Sequence, residues 1–148
     1  MANMNTSHRY IYDAAPATLF RARTAAAVTA DGDSATVVLD ALDGYWNTAG
    51  ELADETLAVV INVTALDETT GDETYDFTLK ATDAAGTPQI ANLGTIRVPA
   101  VGQYVLLLDV PTLKRVDADV GGLELSLDVS GTTPSITYHS WLTQIKGR

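Results

Sequence analysis

The closing segment VSGTTPSITYHSWLTQIKGR, residues 129–148, carries one of the chain's two histidines beside one of its two tryptophans. A histidine works as a general acid or base when a carboxylate orients it and a nucleophile stands within hydrogen-bond reach. No G-x-S-x-G elbow supplies such a nucleophile. Strand alternation puts Thr137, His139 and Trp141 on one face and Ile136, Tyr138, Ser140 and Leu142 on the other. His139 therefore reads as a sheet-surface or interface side chain. The second histidine, His8, lies too far away in sequence to complete a metal motif of the H-E-x-x-H kind.

The nineteen acids are the other source of chemistry. Calcium takes oxygen ligands at fixed loop positions. DETTGDE at Asp67–Glu73 lacks acids at its third and fifth positions, and DGDS at Asp31–Ser34 is equally short of ligands. Both read as turns, where Asp and Ser side chains bond nearby backbone N–H groups. With so many acids, some pair at glycosidase separation arises in any fold, so spacing selects none. No Gly-rich loop leads into a helix to cradle phosphate, and with no cysteine there is no disulfide and no thiolate metal or redox site. The expectation is a protein that is not an enzyme, with no catalytic residue, metal ligand or cofactor assigned.

DGYWNTAG, residues 43–50, sets Tyr45 and Trp46 side by side in what reads as a loop. Two fates are open to them: folding back on the core, or forming a platform for a protein contact or a stacked sugar.

The elements that must carry these residues are strands. At 148 residues, 46% apolar and 19% charged, the chain is long enough for one core without staples. LAVVINVTA (57–65) sets Leu57, Val59, Ile61 and Val63 on one face. ETYDFTLKATD (73–83) turns Tyr75, Phe77, Leu79 and Ala81 inward and Thr74, Asp76, Thr78, Lys80 and Thr82 to water. LDETTGDE between them suits a hairpin loop. TIRVP, QYVLLLDVP, LELSLDV and SITYHSWLTQI continue the series, and SATVVLDAL precedes it. NTAGELADET could hold one short helix or a loop. About eight antiparallel strands separated by Gly, Pro and Asp turns make a sandwich or barrel.

The net charge of −10 disfavours a nucleic-acid partner, because phosphate backbones are repelled. The longest bulky apolar runs, LAVVI and YVLLL, are too short to cross a bilayer, so no membrane partner is expected. The opening MANMNTSHRY has no signal-peptide pattern, which points to synthesis in the cytoplasm. Between Arg23 and Lys80 there is no basic residue, and twelve acids fall there. Residues 1–24 mix Tyr10, Ile11, Tyr12, Leu19 and Phe20 with Arg9, Arg21, Arg23 and Pro16, without a clean period. They read as an extended arm, followed by a β-sandwich over 25–148. Arg9, Tyr10, Tyr12, Phe20, Arg21 and Arg23 are the expected arm contacts, with Tyr45 and Trp46 as loop anchors.

YVLLLDV, LELSLDV and VSGTTPSITYHSWLTQI, with FTLKATDAAG upstream, resemble the C-terminal strands of small capsid cement (decoration) proteins of tailed bacteriophages. The likeness covers residues 56–145 and includes no catalytic motif. It implies a jelly-roll-like sandwich on the outside of a virion head, bridging neighbouring copies of the major capsid protein. Assembly as a dimer or trimer on a symmetry axis is the matching expectation. The alternative expectation is a carbohydrate- or receptor-binding module of a head fibre, with Tyr45, Trp46 and Trp141 as stacking platforms.

Overall fold

Strands form where apolar residues recur with period two and stop where Gly, Asp or Pro intervenes. A computed structural model describes residues 18–39, 56–87, 89–109, 113, 115 and 117–145, and among them are nine strands. They are β1 (Leu19–Arg21), β2 (Gly32–Asp33), β3 (Val37–Val38), β4 (Thr56–Leu66), β5 (Thr74–Thr82), β6 (Gln89–Arg97), β7 (Gly102–Asp109), β8 (Gly122–Ser130) and β9 (Ile136–Ile145).

They make two antiparallel sheets. The first runs β1-β9-β4-β7; the second runs β2-β8-β5-β6, with β3 also on β8. Asp33 stands opposite Ser126 and Val37 opposite Leu123, so β2 and β3 are one edge strand broken by a one-residue slip. Counted together they leave four strands to each sheet, in the two-sheet pattern of a jelly roll. The chain is thus an all-β sandwich.

The core lies between the sheets. Leu57, Val59, Ile61 and Val63 of β4 meet Tyr75, Phe77, Leu79 and Ala81 of β5, as alternation predicts. Leu123, Leu125 and Leu127 of β8 and Ile136, Tyr138 and Leu142 of β9 close the layer. Each Val, Leu, Ile or Phe side chain among them contributes about 1.5–3 kcal/mol by leaving water. Phe77 and Tyr138 meet edge to face with ring centroids 4.8 Å apart, the arrangement that ring quadrupoles favour.

Three expectations are corrected. β4 and β5 do not form a hairpin: β4 pairs with β7 and β9, and β5 with β6 and β8, in the opposite sheet. The polar link at 67–73 therefore carries the chain across the sandwich, and its acids shape the crossing. Asp67 accepts from the Thr69 N–H at 2.9 Å, and Glu73 from those of Thr70 and Gly71. Thr82, expected at the surface, is buried where β8 begins, its carbonyl accepting from Gly121 N–H.

The third correction concerns Phe20. Leu19–Arg21, at the end of the segment read as an arm, is strand β1, paired with β9 of the domain body through a bulge. Phe20, expected as a partner contact, is 2% exposed and belongs to the core. An aromatic side chain that the sequence pattern left aimless is fixed by a strand pairing more than a hundred residues away in the chain.

Candidate functional site

The outer faces of the two sheets differ in chemistry. On the second sheet, Asp33 Oδ1 meets Lys80 Nζ at 3.4 Å, Thr78 and Thr95 share a hydrogen bond of 2.9 Å, and Arg97 forks onto Asp76 with two bonds of 2.8 Å. The paired guanidinium holds the Asp76 carboxyl below its ordinary value. This is a solvated face, built by the clean alternation of β5 and β8.

On the first sheet the outer row is apolar. Register sets Leu19, Trp141, Val60 and Val105 side by side across all four strands. Ala58, Val60 and Trp141 form a second buried cluster there, with Leu19 and Val105 against it. The next row holds His139, Asn62 and Gln103.

His139 and Trp141 stack with centroids 5.3 Å apart and planes 16° from parallel. His139 is 6% exposed, and its Nε2 lies 3.4 Å from Asn62 Nδ2. With that amide donating, Nε2 is the acceptor and the imidazole is neutral. Burial lowers the histidine's affinity for a proton, and the charge of Arg23 lowers it further. Trp141, at 3% exposure, presents no stacking surface to a sugar.

The remaining sequence-predicted residues separate into groups. Arg9, Tyr10, Tyr12, Tyr45 and Trp46 lie outside the described residues, as does most of NTAGELADET. Arg21 is engaged within the fold: its guanidinium sits 5.0 Å from the Tyr138 ring centroid, and Nη2 donates to the Ala26 carbonyl. Arg23 is exposed and acts electrostatically on His139. The structure therefore brings Arg21, Arg23, Tyr138, His139 and Trp141 to the β1–β9 side of the first sheet.

The acid clusters weighed as cation sites are occupied by backbone donors. Asp31 Oδ1 accepts from Val129 N–H at 2.8 Å, and Asp72 accepts from Thr132 through both its N–H and its hydroxyl. Those bonds depress the Asp72 carboxyl, and bonds from Thr69 depress that of Asp67. Among the described residues no three His, Asp or Glu converge as metal ligands. A groove lined by Leu66, Glu68, Glu73, Tyr75 and Arg97 has its cation already taken by Asp76.

Sequence reasoning passed over β7 as a surface. Tyr104, Leu106 and Leu108 face the core, while Val105 joins the outer cluster and Leu107 is 61% exposed. The available signal was the unbroken apolar run YVLLL, since a strand with one wet face alternates.

No protein-family model matches the chain, and no curated protein matches it in sequence.

Proposed function

We propose that the chain is a structural virion component, a cement protein that binds the outside of a tailed-phage head and ties neighbouring major capsid proteins together. The observation that carries the reading is the two-sheet jelly-roll sandwich, into which the segment resembling cement proteins folds. The segment on which the likeness to cement proteins rests, 56–145, supplies β4 to β9. The step from sandwich to cement is analogy, because one fold hosts many functions.

The physics would be linkage. A ligand that binds the expanded lattice and not its separated subunits stabilises the lattice by about 2.7 kcal/mol per site at a hundredfold excess over Kd. A symmetric shell repeats that gain at every equivalent site, and self-association on a symmetry axis is part of the reading.

The test is co-sedimentation of the purified protein with phage heads before and after expansion. Saturable binding to expanded heads alone, with raised heat resistance of the heads, supports cement. Binding to neither form sinks it. The rival reading, a glycan- or receptor-binding module of a head fibre, then rests on Tyr45 and Trp46, since Trp141 is buried. Loss of glycan binding in Trp46→Ala would establish that rival.

A further inference from the structure

A sheet edge presents unpaired N–H and C=O groups, and proteins blunt it with short strands, bulges, prolines or charges. Among the described strands, three of the four sheet edges are blunted. β1 has three residues and a bulge, and the β2–β3 edge is two dipeptides with a slip between them. β6 slips twice against β5.

β7 is different. It pairs with β4 without a slip from Gly102 to Asp109, and no described strand lies on its other side. It contains no proline and no charge before Asp109. Leu107 projects from it at 61% exposure, and Val101 at its start is 59% exposed. These two are the exposed large hydrophobics among the described residues.

We propose that β7 is a homodimerisation edge: it pairs antiparallel with β7 of a second copy, joining two first sheets into one. Charge leaves that partner an open approach at this edge. The molecule carries −10, so two copies repel over most of their surface. From Val98 to Leu108 there is no ionisable acid or base other than Tyr104, which gives an approach free of like charge. The apolar row Leu19–Trp141–Val60–Val105 ends at this edge and would continue into the partner. A twofold axis through Leu106 sets Val105 opposite the partner's Leu107, on the same face of the joined sheet, and keeps the two Asp109 carboxylates at opposite ends. This names the surface for the self-association contained in the proposed function and rests on that part alone; attachment to a head is measured separately.

The experiment is sedimentation equilibrium of the full chain, with hydrogen exchange read along β7. The wild-type protein should form a concentration-dependent dimer in which alternate β7 amides are protected. Leu107→Lys should weaken the dimer about tenfold or more and release those amides. Its melting temperature at concentrations where both proteins are monomeric should stay unchanged, because the side chain is exposed. Leu107→Gln, which adds no charge, should weaken the dimer less. A wild-type protein that stays monomeric at its highest soluble concentration overturns the proposal. So does a dimer indifferent to Leu107→Lys with freely exchanging β7 amides. A dimer that binds no heads sinks cement and leaves this edge standing; a monomer that binds heads does the reverse.

Discussion

Tyr75 and Ser135 join the two sheets through one phenol oxygen. Ser135 N–H donates to Tyr75 Oη at 3.0 Å, while the hydroxyl donates to the Asp67 carbonyl at 2.8 Å, with the Ser135 carbonyl 3.1 Å away. Tyr75 belongs to β5 in the second sheet; Asp67 follows β4 and Ser135 precedes β9 in the first. A side chain 1% exposed thus satisfies backbone groups at the end of the opposite layer. It fixes where the chain crosses the sandwich.

Tyr75→Phe keeps the ring and removes that oxygen, leaving a partly buried N–H without its acceptor. The expected cost is about 1–3 kcal/mol. Urea unfolding should show a lower midpoint with an unchanged slope, because the surface exposed on unfolding stays the same.

Acid should destabilise the protein in two stages. His139 binds its proton less readily folded than unfolded, where its value is near 6.5. The unfolded state therefore takes up more protons as pH falls below 6.5, and stability drops until the folded value is passed. The lowered carboxyls of Asp67, Asp72 and Asp76 act later: their contribution is present above their unfolded values, near 3.8, and is lost as pH falls through the folded ones. Melting temperature measured from pH 8 to 5 should fall in the wild type and stay flatter in His139→Gln. Equal slopes in the two proteins would remove His139 as the cause.

Much of this architecture is legible in the sequence, for a physical reason. β5 and β8 separate a core from water, so Tyr75, Phe77 and Leu79 alternate with Asp76, Thr78 and Lys80, and Leu123, Leu125 and Leu127 with Glu124 and Ser126. β4 and β7 are apolar on both faces, which erases alternation and with it the outer roles of Val60, Val105 and Leu107. Partner choice was hidden for another reason. LDETTGDE has the polarity of a hairpin loop, and nothing local in it distinguishes a hairpin from a crossing to the other sheet.

The turn between β8 and β9 offers two opposite substitutions. Gly131 has φ near +102°, and a Cβ there would lie 2.6 Å from the Asp72 carbonyl oxygen and from Glu73 Cα. Both contacts are with backbone, so Gly131→Ala should cost about 1–3 kcal/mol. Thr133 has φ near +52°, a region unfavourable for a β-branched residue. Thr133→Asn should stabilise by about 0.5–1 kcal/mol, since Asn tolerates left-handed backbone. Thermal unfolding of the two variants should move in opposite directions.

Phe20 decides whether β1 belongs to the fold or to an arm. Its ring is in the core, beside a strand only three residues long that pairs with β9 through a bulge. The strand's few ladder bonds do little to hold it by themselves, and burial of the ring outweighs them. Phe20→Ala should therefore cost about 3–5 kcal/mol, the loss of a large buried aromatic with partial collapse of its site. Phe20→Leu, which refills much of the volume, should cost clearly less. Arg23→Ala tests a different point: its removal should relieve the electrostatic push on His139 and so raise that histidine's affinity for a proton. If Phe20→Ala unfolds at the wild-type urea midpoint, β1 is an arm after all, and the packing of Leu19 against Trp141 contributes nothing to stability.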